Sequence, residues 1–248
     1  MVRQLLPTVG FSWTMRSIGF IQVGCLVLSF FFLKTRVPPR KNGSLVDLDS
    51  FKELEYTFYA LGAFLCFWGL YVPFFYLPSY SRDIRGLSYS GSLNLLLILN
   101  GIGVIGRVLP AFVADKIGSV NMYIPMAAAS ALLMYCWAAV DNVGGLYVWA
   151  CIYGISAGGI QSLFPAAVSS LTEDPRKQGT RMGMIFTIVS FAVLTGPPLA
   201  GAIISSMDGK FVGAQMFSGS SLTLGTLSVC LARELKRRRR QQKFVSKV

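Results

Sequence analysis

Residues 94–118 read NLLLILNGIGVIGRVLPAFVADKIG. The stretch is apolar and long enough for a bilayer-crossing helix, which needs about 20 residues. One arginine, Arg107, lies past its midpoint, and Ala114-Asp115-Lys116-Ile117-Gly118 supplies a turn at its end. A charge that deep in an apolar run is costly and marks a functional position by default. The rest of the chain reads as similar helices packed around this one.

Composition agrees. Of 248 residues, 53% are hydrophobic and only 14% charged, against about 25% charged in soluble domains. The apolar residues come in long blocks, the pattern of an all-α, polytopic membrane protein whose one certain partner is the lipid bilayer. The net charge of +12 gathers in connecting loops and the C-terminal tail, which suits orientation in a membrane better than nucleic-acid binding. No nucleic-acid partner is expected.

Other chemistries are narrowed by what the chain lacks. It has no histidine, which removes Ser-His-Asp catalysis, HExxH zinc sites and histidine proton relays. The cysteines Cys25, Cys66, Cys136, Cys151 and Cys230 sit in or beside apolar runs without a CxxC pair, and read as small helix residues rather than metal ligands. All 11 acidic residues lie in loops or at span ends, so an embedded carboxylate relay is absent. No catalytic residue, metal or cofactor is expected, and an enzyme is the least supported class.

Seven spans emerge. Trp13–Leu33 comes first, with Lys34, Arg36, Arg40 and Lys41 as a stop-transfer flank. A polar link follows over 34–56, where Val37-Pro38-Pro39 stops the helix and Asn42-Gly43-Ser44 makes a turn and a glycosylation sequon. The second span is Thr57–Tyr76, bent or ended by Pro73 and Pro78. Its Phe64, Phe67, Trp68, Tyr71 and Phe75 share one helical face. That face serves either aromatic packing with an interfacial belt or the wall of a cavity. Leu77–Gly91 is a loop, then come residues 94–118. Val120–Ala139 is the fourth span, and Leu146–Leu171 the fifth, with Gly154, Gly158 and Gly159 for close approach. After a charged loop over 172–181, Met182–Ser205 is the sixth, broken at Gly196-Pro197-Pro198. Ala214–Ala232 is the seventh, leading into Lys236-Arg237-Arg238-Arg239-Arg240. The domains are thus a single helix over 1–33, the link over 34–56, six helices over 57–232 and a basic tail over 233–248. The basic loops put the N-terminus outside and the tail in the cytoplasm. The tail run, next to a span, fits attraction to anionic lipid.

Arg107 has two readings. It faces a cavity as a fixed charge for an anion such as a carboxylate, or else its long stem snorkels to the cytoplasmic interface or its charge pairs with a neighbour. Asn100, two turns earlier on a similar face, could add a hydrogen bond, and Gln161, Tyr153 and Asn94 are further polar candidates. Gly101-Ile102-Gly103-Val104-Ile105-Gly106 matches GxGxxG, but no strand precedes it and no acid lies about 20 residues on. Tight helix packing explains it better.

Gly106-Arg107, Pro110 and Ala114-Asp115-Lys116-Ile117-Gly118 resemble the eighth helix and following loop of the major facilitator superfamily, nearest the fungal members of the monocarboxylate-porter family. Phe67 to Tyr76 resembles the seventh helix; Gly154 to Pro165, Gly179 to Gly183 and Gly196-Pro197-Pro198 resemble the tenth and eleventh. The resemblance spans essentially the whole chain. It implies helices six to twelve of a twelve-helix porter, with 34–56 as the central cytoplasmic loop. The implied activity is transport of a small organic anion, monocarboxylate-like, by alternating access, in the plasma membrane. Arg107 would take the anion; Phe67, Trp68, Tyr71, Asn100 and Gln161 would line the cavity; Asp115, with Lys116 and Gly118, would serve the cytoplasmic gate. The partner would be the N-terminal transporter half or a second copy. Ala111 stands where the loop motif usually has glycine. Gly103 stands where animal-type relatives pair the arginine with an aspartate, so that pair is lacking. The alternatives are a seven-helix receptor, whose acidic-Arg-aromatic and Asn-Pro-x-x-Tyr motifs do not occur here, and a non-transporting membrane subunit.

Overall fold

The computed structural model describes residues 2–34 and 46–245. Among them all regular structure is helical, and the chain divides into two units, residues 1–43 and 44–248. The Val37-Pro38-Pro39 stop and the Asn42-Gly43-Ser44 turn lie outside the described residues.

The first unit contains α1 (Val2–Phe32). Gly10 interrupts it at φ 75°, ψ 174°, just after Pro7. Beyond that kink, Ser17 and Ser29 return their hydroxyl protons to the carbonyls of Trp13 and Cys25, at 2.9 and 2.8 Å. Such back-bonding satisfies a hydroxyl inside an apolar helix.

The second unit holds α2 (Leu54–Leu70), α3 (Val72–Asp83), α4 (Tyr89–Ile117), α5 (Ser119–Ala138), α6 (Val143–Leu171), α7 (Gln178–Ser206) and α8 (Val212–Val245). Over the described residues of the chain, six spans are long and apolar enough to cross a membrane: Pro7–Phe32, Leu54–Asp83, Tyr89–Ile117, Ser119–Ala138, Val143–Leu171 and Pro175–Ser206. The seventh expected span is the first part of α8, where serine and threonine dilute the apolar residues.

Sequence expectations shift at three places. The second span breaks where expected, at Tyr71 with Pro73 opening α3, but the helix then continues to Asp83, so the loop expected from Leu77 begins only at residue 84. Pro73 has no N–H for the carbonyl of Gly69, and the Ser218 hydroxyl donates to that carbonyl instead. The sixth span is not broken: α7 runs through Gly196-Pro197-Pro198. The Tyr76 hydroxyl donates to the Pro197 carbonyl at 3.0 Å, and Thr195 bonds back to Phe191 at 2.7 Å. Finally, α8 does not stop at the tail run. Arginine and lysine are good helix formers, and Glu234 pairs three and four residues on with Arg237 and Arg238, each at 3.1 Å.

Two close seams hold the second unit together. In the seam of α4 on α6, Gly106 packs against the backbone of Ile155 so tightly that any Cβ would strike it. In the seam of α2 on α8, a Cβ on Gly225 would lie 2.8 Å from the Cys66 amide nitrogen. Lipid offers no hydrophobic drive between helices, so backbone approach through small residues supplies the packing. The apparent dinucleotide fingerprint is thereby accounted for: Gly103 and Gly106 face α6. Between the seams lie fully buried Tyr59, Tyr123, Tyr153 and Trp137. Tyr59 and Tyr153 give their hydroxyl protons to the carbonyls of Phe164 and Leu70, at 2.9 and 2.8 Å, which makes their burial tolerable.

Candidate functional site

A cleft of about 940 Å³ opens between the α2–α3 break, the second half of α6 and α7. Phe67, Tyr71, Gln161, Phe164, Phe186 and Pro197 are among its lining residues. The break matters locally: it sets Tyr71 at the junction and turns Phe75 and Tyr76 of α3 onto the same wall. Phe164 is the hinge of the aromatic side, edge-on to Phe67 at 5.0 Å and to Phe186 at 4.9 Å between ring centroids. The wall is mostly apolar, with the Gln161 amide and the Ser190 hydroxyl as polar points.

Arg107 meets this cleft through Gln161. Its Nη2 donates to Gln161 Oε1 at 2.8 Å, and the arginine side chain stays exposed. Two residues singled out separately from the sequence, 54 positions apart, are therefore in direct contact. An amide oxygen orients a guanidinium without cancelling its charge. Four more donors of the fork remain for a carboxylate, which guanidinium binds in bidentate fashion.

The other expected residues scatter. Phe67 and Tyr71 lie on the cleft wall. Trp68 faces elsewhere: its Nε1 donates to Thr195 Oγ1 at 3.1 Å, and its ring meets Phe217 edge-on at 5.0 Å. Asn100 is exposed and donates to the carbonyl of Leu96 at 2.9 Å. Tyr153 is buried in the core and Phe64 tilts against Trp68 at 5.7 Å. The shared aromatic face of the second span thus divides between cavity wall and packing. Asp115 and Lys116 are exposed in the last turn of α4. Gly118 closes that helix at φ 97°, its N–H on the Ala114 carbonyl at 2.7 Å. Among the described residues neither Asp115 nor Lys116 forms an ion pair.

Sequence reasoning missed a second charged centre. Arg181, assigned to a loop, lies in the first turn of α7 and is 5% exposed. It grips Glu53 with both ends of its fork, at 2.9 and 2.7 Å, and reaches Asp47 at 3.3 Å. Its plane lies over the Tyr56 ring at 5.4 Å, while the Tyr56 hydroxyl donates to its carbonyl at 2.8 Å. Lys177 pairs with Asp47 at 3.2 Å, and Arg239 of α8 with Glu53 at 3.7 Å and with Glu55. The bonded Arg181 guanidinium holds the Glu53 carboxyl below its ordinary value, with burial opposing. The only sequence signal was a cluster of acids, Asp47 to Glu55, in a link otherwise flanked by basic residues. At the other end of the bundle Arg85 ties Tyr80, at 3.1 Å, to Val140 and Asp141 of the α5–α6 turn.

Comparison with known proteins places the chain. The Major Facilitator Superfamily model matches residues 4–172 and 109–247, and the chain belongs to that superfamily. It is 49% identical to an MFS-type transporter of Gibberella zeae over 94% of this chain and 53% of the relative. It is 34% identical to the MFS-type transporter pynF of Aspergillus niger, over 94% of this chain and 54% of that protein. It is 32% identical to the aspyridones efflux protein apdF of Emericella nidulans, over 90% of this chain and 45% of that protein. The chain spans about half the length of these relatives.

Proposed function

We propose that this chain forms the C-terminal portion of a major facilitator transporter that moves an organic anion, with Arg107 as the anion's counter-charge. The observation that carries the reading is the Arg107–Gln161 contact at the edge of an aromatic cleft. A carboxylate would bridge to the free face of the guanidinium while its apolar body lies against Phe67, Tyr71 and Phe164. The monocarboxylate-like substrate suggested by the family resemblance fits that charge. The size and mostly apolar lining of the cleft favour an anion with a substantial apolar body. Asn100 and Trp68 are not among the residues that line the cleft. Asp115, Lys116 and Gly118 serve the cytoplasmic gate, residues 34–56 the central loop and 57–232 the six-helix half, in a plasma-membrane orientation with the N-terminus outside. Alternating access then requires an opposing half across the cleft. The test is transport of a radiolabelled aromatic carboxylate by the complete transporter in vesicles. Arg107→Ala should lower its flux at least about tenfold, and unchanged flux would remove the assignment.

A further inference from the structure

A separate cavity of about 470 Å³ lies where the α4–α5 turn, the end of α6 and the extension of α8 meet. Ser119, Asn121, Ser170, Arg233, Lys236 and Arg237 line it, and no carboxylate is among its lining residues. Three cations therefore converge from one element on hydroxyl and amide groups from two others. They are at i, i+3 and i+4 of α8, so they share a face. Lys236 is held toward the cavity by its bond to the Ser170 carbonyl. Arg237 shares Glu234 with Arg238, so that one carboxylate divides between two guanidinium groups. Arg233 forms no ion pair among the described residues. The α5 start adds to the field: its N-cap is Gly118, without a side-chain cap, so the amides of Ser119, Val120 and Asn121 have no acceptor inside the helix.

The geometry points to a phosphate-binding site at this junction, whose ligand is a phosphomonoester or phosphodiester anion. Such a group has the oxygens to meet several cations and hydroxyls together, and arginine matches it in bidentate fashion. Two sources carry that chemistry. The cavity lies at the ends of membrane-spanning helices, where basic pockets take phospholipid headgroups, and the same ends meet soluble phosphate. The site is independent of the Arg107 cleft, since none of its lining residues is shared with it.

The experiment uses the full chain in neutral phosphatidylcholine nanodiscs and a fluorescent dioctanoyl phosphatidylinositol phosphate, with binding read by anisotropy. The variant R233Q/K236Q/R237Q should weaken binding at least about tenfold. A charge-matched control in the distal tail, R240Q/K243Q/K247Q, should weaken it less than about threefold. Arg233→Gln alone, which breaks no ion pair among the described residues, should weaken it about fivefold and guards against misfolding of the triple variant. Inorganic phosphate and unlabelled lipid then compete for the site. Displacement by lipid alone assigns the headgroup, and displacement by both at similar concentration assigns the free anion. Equal loss in the two triple variants, or no loss in Arg233→Gln, would overturn the site and leave only diffuse attraction to the tail.

Discussion

Arg107 and Arg181 are both arginines in helices of the second unit, and they are treated oppositely. Arg181 is buried and saturated: Glu53 takes both ends of its fork, Asp47 a third bond, and the Tyr56 ring covers its face. Arg107 is exposed and has one neutral acceptor, Gln161. A cation neutralised by carboxylates holds structure together, whereas one oriented by an amide keeps its charge for something else. On the proposed reading, the difference separates a staple from a binding group without reference to depth in the sequence.

The largest effect should come from breaking the staple. Arg181→Ala strips partly buried Glu53 of its two-pronged partner and leaves it only Arg239 at 3.7 Å, and leaves Asp47 only Lys177, a loss of about 3 kcal/mol, seen as a lower unfolding temperature of the purified chain. Arg107→Ala should do the reverse, changing stability by less than about 1 kcal/mol while anion affinity falls by about 2 kcal/mol, some thirtyfold. If the two variants exchanged these profiles, the distinction between them would be wrong. Gln161→Leu comes next. It removes one charge-assisted bond and frees the guanidinium to swing, so anion affinity should fall by about 1 kcal/mol in a direct binding titration.

The smallest effect is a pH dependence. Glu53 has its carboxyl held below the ordinary value of 4.5 by Arg181. A depressed acid contributes stability that is fully present above its unfolded value and is lost as pH falls through its folded one. Unfolding temperature should therefore be insensitive to this pair near neutrality and begin to fall below about pH 4.5. Glu53→Gln should remove that part of the acid dependence, and an unchanged acid limb would show that Glu53 is not the group responsible.

How far the sequence carries depends on whether a feature is local. The helix of residues 94–118 and its Gly118 stop are written in composition, and the described helix starts only five residues earlier and ends at Ile117. The break before Pro73 is likewise a local property. The continuity of α7 across Pro197-Pro198 is not, since two prolines locally signal a break, and the segment packs against Tyr76, more than a hundred positions away. The same applies to charges. Depth in an apolar run singled out Arg107, and residue type singled out Gln161, but their contact is tertiary. Arg181 sat in what looked like a charged loop, and the acids that bury it lie 128 and 134 positions earlier. The aromatic face of the second span was legible as a face, yet the helix break and the crowding of α7 and α8 decide which of its rings meet the cleft.

The most direct measurement compares an aromatic carboxylate with its neutral methyl ester as ligands of the complete transporter, before and after Arg107→Ala. The account predicts that the wild-type protein prefers the carboxylate by at least about tenfold, and that the variant binds both alike through the apolar wall. An undiminished preference for the carboxylate in the variant would contradict it, and would move the anion's counter-charge elsewhere in the protein.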